Sequence, residues 1–74
     1  MKIRFLRDIT VDVEKPRLNE IWDKNYRKWD EIRVDEIFPQ GSLATLKTNE
    51  GDFILLVPED SFERIEEKKK QLSL

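Results

Sequence analysis

The 74 residues carry 14 lysines and arginines against 16 aspartates and glutamates, a net charge of −2, with no cysteine and no histidine. That composition excludes disulfides, a cysteine/histidine zinc site, thiolate or serine–histidine nucleophiles, and imidazole acid–base catalysis. A chain of this length makes one small domain that buries only about 60% of its unfolded surface, so packing must hold it.

Charged residues are 41% of the chain, a mixed surface that lacks the basic footprint of a general nucleic-acid binder. Residues 1–13 hold no apolar stretch of signal-peptide length, and no run approaches the roughly 18 apolar residues of a membrane span. The expectation is a cytoplasmic protein with no membrane partner.

Residues 2–13 alternate. Ile3, Phe5, Ile9, Val11 and Val13 fall on odd positions, interrupted by Arg7, while Lys2, Arg4, Asp8, Thr10 and Asp12 face the other way. This period of two marks a strand with one buried face. It is either one strand of unusual length or two meeting near Leu6, Arg7 and Asp8.

Residues 14–29 read differently. Pro16 suits the first turn of a helix, and Leu18, Ile21, Trp22, Asn25 and Trp29 share one helical face. Ile21, Trp22, Tyr26 and Trp29 form a wide apolar stripe at that spacing. A short helix, or helical turns, is expected around 17–29. The rival is a long irregular loop whose aromatics cap one end of a barrel. In both, Trp22 and Trp29 are expected to be buried anchors.

Residues 30–57 hold three strands. Ile32 and Val34 alternate with Glu31, Arg33 and Asp35, and the alternation slips at Glu36, Ile37 and Phe38, where a bulge or strand end is expected. After the break at Pro39-Gln40-Gly41-Ser42 come Leu43 to Thr48, a turn at Asn49-Glu50-Gly51-Asp52, and the apolar run Phe53 to Val57. Pro58 ends that run because it cannot donate to a ladder. The result is a three-stranded antiparallel meander. Pro58 to Phe62 then predicts a helical turn, with Glu59 and Asp60 at its positive end. Phe62 and Ile65 follow, on a last short strand or one helical face. Glu63 to Gln71 is charged enough that a frayed helical tail is expected. The chain thus divides into a domain over 1–66 and a frayed charged tail over 67–74.

Three stretches carry a resemblance: Trp29-Asp30-Glu31-Ile32-Arg33-Val34, Asn49-Glu50-Gly51-Asp52-Phe53 and Val57-Pro58-Glu59-Asp60-Ser61-Phe62. With the order strand, long excursion, meander, helical turn and final element, residues 2–65 resemble the Src-homology-3-like small β-barrels. The chain is also similar to small uncharacterised barrel proteins of bacteriophages and prophages. The fold this implies is mainly β, a small α+β domain. It would be a five-stranded, partly open barrel with a helical excursion around 17–29 and a charged C-terminal tail. The Ala-Leu-Tyr-type motif of the peptide-binding signalling members is absent, so proline-rich peptide recognition is not implied. The phage resemblance implies a virion-assembly accessory or an inhibitor of a host protein, acting in the host cytoplasm.

Lys15, Arg17, Lys24, Arg27 and Lys28 interleave with Trp22, Tyr26 and Trp29. Cations that track phosphate and aromatics that stack bases are what single-stranded nucleic-acid binding requires, with Arg17, Lys24, Arg27 and Lys28 as its contacts. Against it stand the adjacent Asp30, Glu31, Asp35 and Glu36, and a thin core's need for large apolar residues. Those carboxylates, with Glu50 and Asp52, could offer oxygens to a hard cation. Arg33 between Glu31 and Asp35 can pair with them instead, so neither metal nor cofactor is expected. The expectation is a non-enzymatic module whose partner is another protein, with Trp22, Tyr26, Trp29 and Arg27 as contacts and homo-oligomerisation left open. Binding of single-stranded nucleic acid is the alternative.

Overall fold

The odd-numbered apolar residues of the N-terminal stretch lie on two strands, broken at Leu6 to Asp8. In the computed structural model, which describes residues 1–65, these are β1 (Lys2–Phe5) and β2 (Ile9–Lys15). There follow β3 (Glu20–Tyr26), β4 (Glu31–Gln40), β5 (Leu43–Thr48), β6 (Phe53–Pro58), a 3-10 turn (Glu59–Ser61) and β7 (Phe62–Ile65). All pairings are antiparallel, and one open sheet runs in the order β3-β2-β6-β5-β4-β1-β7. The mainly β reading holds. The sheet has seven strands where five were expected, and the described residues contain no α-helix. Of the two readings open for Phe62 and Ile65, the last short strand is the one found, β7, which takes Glu63 to Ile65 out of the expected helical tail; the tail over 67–74 lies outside the described residues.

The helix expected around 17–29 is instead the second arm of a hairpin, and not a loop either. β3 pairs with β2 from Ile9↔Tyr26 to Lys15↔Glu20. The turn between them is closed by the Leu18 N–H donating to the Lys15 carbonyl (3.0 Å) and the Asn19 N–H to that of Pro16 (3.1 Å). Asn19 takes a φ of 55°, a left-handed conformation that asparagine tolerates. The adjacent pair Ile21-Trp22 fits a helical stripe and a strand equally well. The ladder that β2 offers decides between them, because it pairs seven residues at once and satisfies the backbone groups of β3 that face β2.

β4 holds the sheet together. Glu31 to Arg33 pair with β1, whereas Val34 to Gln40 pair with β5. The register shifts between Val34 and Glu36, so Asp35 is the extra residue of a bulge, and a bulged strand bends and twists. The sequence slip at Glu36 to Phe38 was the trace of this feature. A second shift lies between β5 and β6: Ala44 faces Val57 while Leu46 faces Ile54. Leu56 takes a φ of 51° there and points into solvent. This is how the unbroken apolar run of β6 turns both Ile54 and Val57 inward.

Bending the sheet gathers Ile3 and Phe5, Val11 and Val13, Val34, Ala44 and Leu46, and Ile54 and Val57 into one core. Each large side chain buried there stabilises the fold by about 1.5–3 kcal/mol. Ser61, also buried, donates from Oγ to the Pro58 carbonyl at 2.6 Å. The Ser61 carbonyl in turn accepts the Leu6 N–H at 2.8 Å, tying the 3-10 turn to the corner between β1 and β2. Leu46 is fully buried at the centre of this cluster. Leu46→Ala is expected to destabilise the domain by about 2–5 kcal/mol in urea unfolding.

Candidate functional site

The β2–β3 register puts Trp22 opposite Val13, Lys24 opposite Val11 and Tyr26 opposite Ile9. Facing residues share a sheet face, so these three β3 side chains lie on the side of the sheet that elsewhere covers the core. Yet β3 is an end of the sheet, and of its residues only Tyr26 is part-buried. The space under it is a groove of about 370 Å³. Val13, Tyr26 and Ile32 give it an apolar surface, with Trp22 and Lys24 on one side and Thr48 to Asp52 on the other.

That far side is held firmly. The Thr48 Oγ1 accepts the Glu50 and Asp52 N–H groups at 3.3 and 3.2 Å. The Gly51 N–H donates to the Thr48 carbonyl at 3.0 Å, with Gly51 at a φ of 90° that glycine alone adopts readily. Lys15 crosses from β2 to the turn and pairs with Asp52 at 2.8 Å. Arg17, at the hairpin tip, borders a separate hollow with Leu18, Lys15 and Asp52.

Trp22 and Trp29 are not buried anchors: they are 49% and 57% exposed. Smaller residues fill the core, and Trp22 sits on a strand with no neighbour outside it. Trp22 is nevertheless held in place. Its Nε1 donates to Glu20 at 2.7 Å, and the Lys15 ammonium lies 4.7 Å from the ring centroid. Exposed cation–π contacts of this kind contribute about 0.5–1 kcal/mol. Tyr26 stacks on Phe5 with centroids 4.5 Å apart and planes 15° from parallel, and Lys24 lies 5.6 Å over it. Burial, and then the negative charges of Asp52, Asp30 and Glu50, push the Tyr26 phenol above its ordinary value of 10.0.

Trp29 lies elsewhere, and neither it nor Arg27 lines the groove. The Asp30 N–H donates to the Arg27 carbonyl at 2.9 Å, closing a tight turn in which Trp29 has a φ of 79°. That is the position of a type II turn that calls for glycine. A bulky residue there stores about 1–3 kcal/mol of strain. Four further bonds fix the turn: Trp29 N–H to the Phe5 carbonyl (2.7 Å), Phe5 N–H to the Asp30 carbonyl (2.8 Å), Arg27 N–H to Asp30 Oδ2 (2.8 Å) and Lys28 N–H to Asp8 Oδ1 (2.8 Å). The indole rests between Lys28 (5.1 Å) and Arg4 (5.9 Å).

The structure therefore splits the expected site. Trp22, Lys24 and Tyr26 share the groove, whereas Arg27, Lys28 and Trp29 form a corner beside β1. Val13, Lys15, Ile32, Arg33, Thr48, Asn49, Glu50 and Asp52 complete the groove, and of these only Lys15 belonged to the basic–aromatic segment. The Lys15–Asp52 contact spans 37 positions, and no local pattern signals it. Among the described residues no acidic group is arranged to hold a metal. Glu31 pairs with Arg4 (3.1 Å) and Lys2 (3.6 Å) instead. No described helix is long and apolar enough to cross a membrane. No protein-family model, curated protein or solved structure matches the chain.

Two predictions follow from these aromatic residues. Trp29→Gly relieves the left-handed strain and is expected to be more stable than Trp29→Ala by about 1 kcal/mol in denaturant unfolding. Tyr26 is the chain's single tyrosine, so an ultraviolet titration of phenolate reads it alone. Its midpoint is expected above 10.0. Because the folded state holds this proton more tightly, its contribution to stability is complete below pH 10 and is lost as pH rises through the folded-state value.

Proposed function

We propose that this chain is a non-catalytic protein-binding module that receives an extended segment of a partner protein in the groove between β3 and the Asn49 to Asp52 turn. The observation that carries this reading is Trp22, half exposed yet locked by Glu20 and Lys15 above a groove whose lining mixes apolar side chains with charged ones. Tryptophan is the side chain most enriched among residues that dominate binding energy, and one already immobilised loses less freedom on binding. A virion-assembly accessory or host-protein inhibitor, acting in the host cytoplasm, would work through such a surface.

We further read the sheet as a Src-homology-3-like barrel. β1, β4, β5, β6 and β7 would supply its five strands, and the β2–β3 hairpin its long excursion. The 3-10 turn directly before β7 supports this order. Trp22 and Tyr26 would then wall the groove in place of the missing Ala-Leu-Tyr-type motif.

Exposure of Trp22 and Trp29 also favours a second reading, stacking of single-stranded nucleic acid. It weighs less, because Arg27, Lys28 and Trp29 lie outside the groove, where Glu50 and Asp52 offset Lys15, Lys24 and Arg33. Selection from a displayed peptide library, followed by titration, tests the first reading. Selected peptides are expected to bind Trp22→Ala at least tenfold more weakly, about 1.4 kcal/mol, with the circular dichroism unchanged. If no peptide is enriched and an oligonucleotide binds with steep salt dependence, the second reading replaces the first.

A further inference from the structure

β3, seven residues long, ends the sheet, and the backbone groups on its outer side, those of alternate residues, meet no described strand. An edge of this kind is a template for another strand, and proteins guard it with charge. Here the guard is Lys24, which has no carboxylate partner among the described residues; its ammonium rests over Tyr26 at 5.6 Å. A cation at mid-strand repels most edges and accepts one that brings an acid opposite it.

We infer that this edge is β3 of a second copy of the chain, paired antiparallel about a two-fold axis through Trp22. In such an interface residue i meets j and j meets i, and facing residues must share a sheet face. Together these conditions require one residue of β3 to face itself. Three choices pair five or more residues of the strand. With Lys24 on the axis, two ammonium groups face each other. With Asp23 on the axis, two carboxylates meet that already face Asp12 across each hairpin. With Trp22 on the axis, Glu20 faces Lys24 on both sides and Ile21 faces Asp23. The Trp22-centred register alone has opposite charges opposed and no like charges paired.

Trp22 and Lys24 lie on the groove side of β3, and a two-fold axis perpendicular to the sheet keeps both grooves on that side. The two indoles then meet at the axis, and the grooves join into one surface to which each copy contributes a tryptophan. This pairing is independent of which partner the groove takes.

Sedimentation velocity of the full chain over a range of concentrations tests it. A reversible dimer is expected. Lys24→Glu and Glu20→Lys should each weaken it at least tenfold, and the double exchange should restore it. Both side chains are exposed, and circular dichroism checks that the variants are folded. Because the chain has no cysteine, single-cysteine variants report the register. Trp22→Cys should cross-link to its own copy under mild oxidation faster than Asp23→Cys or Lys24→Cys. A parent that is monomeric throughout, a double exchange no better than the singles, or fastest cross-linking at 23 or 24 would overturn the proposal. A monomer that still binds selected peptides through Trp22 would overturn the dimer and leave the groove reading standing. A dimer that binds none would do the reverse.

Discussion

One strand with two sets of partners determines the shape of this domain. β4 gives its first residues to β1 and the rest to β5, and the unpaired Asp35 lets it turn between the two. Without that turn, Ile3 and Phe5 on β1 would not reach Leu46 and Ile54, and a chain with no disulfide would have too little to bury. The same bend leaves the β2–β3 hairpin reaching past the core. β2 is anchored on β6 and by Val11 and Val13, but β3 has only β2 beside it. The groove is the space that an uncovered strand leaves over a curved sheet.

Charge plays a secondary part in stability and a larger one in shaping the surface. Most ion pairs here are substantially exposed, such as Arg7–Asp60 and Arg4–Glu63, and pairs of that kind contribute little. Lys15–Asp52 is more sheltered and joins the hairpin to the β5–β6 turn. Asp12 faces Asp23 directly across the hairpin, an arrangement that disfavours pairing. Nothing in the fold explains why it is kept.

Much of the β architecture was legible because strand patterning is local. The odd positions of residues 2–13, the slip after Val34, the glycine turn at 51 and the turn before Phe62 each corresponded to a real feature. Residues 17–29 misled because Ile21 and Trp22 are neighbours. Two adjacent apolar residues satisfy a period of 3.6 and leave the period of two, carried by Trp22, Lys24 and Tyr26, looking broken. The tryptophans misled for a different reason. Size argued for burial, but burial depends on what lies beyond a strand, and that is a matter of sheet order. The groove's far side, Thr48 to Asp52, meets Lys15 only after the whole sheet has assembled, so no spacing of residues announces it.

The position of β1, between β4 and β7, also has a kinetic side. It is made before the other six described strands, yet its neighbours in the sheet are β4 and β7, the latter at the other end of the described chain. Its two apolar side chains must wait, unpaired, while everything between is made. Three of the six pairings among the described strands, β1–β4, β1–β7 and β2–β6, join distant parts of the chain, and pairings of that kind slow folding toward roughly milliseconds to seconds. During that interval Ile3 and Phe5, fully buried in the finished core, have no partner strand to cover them.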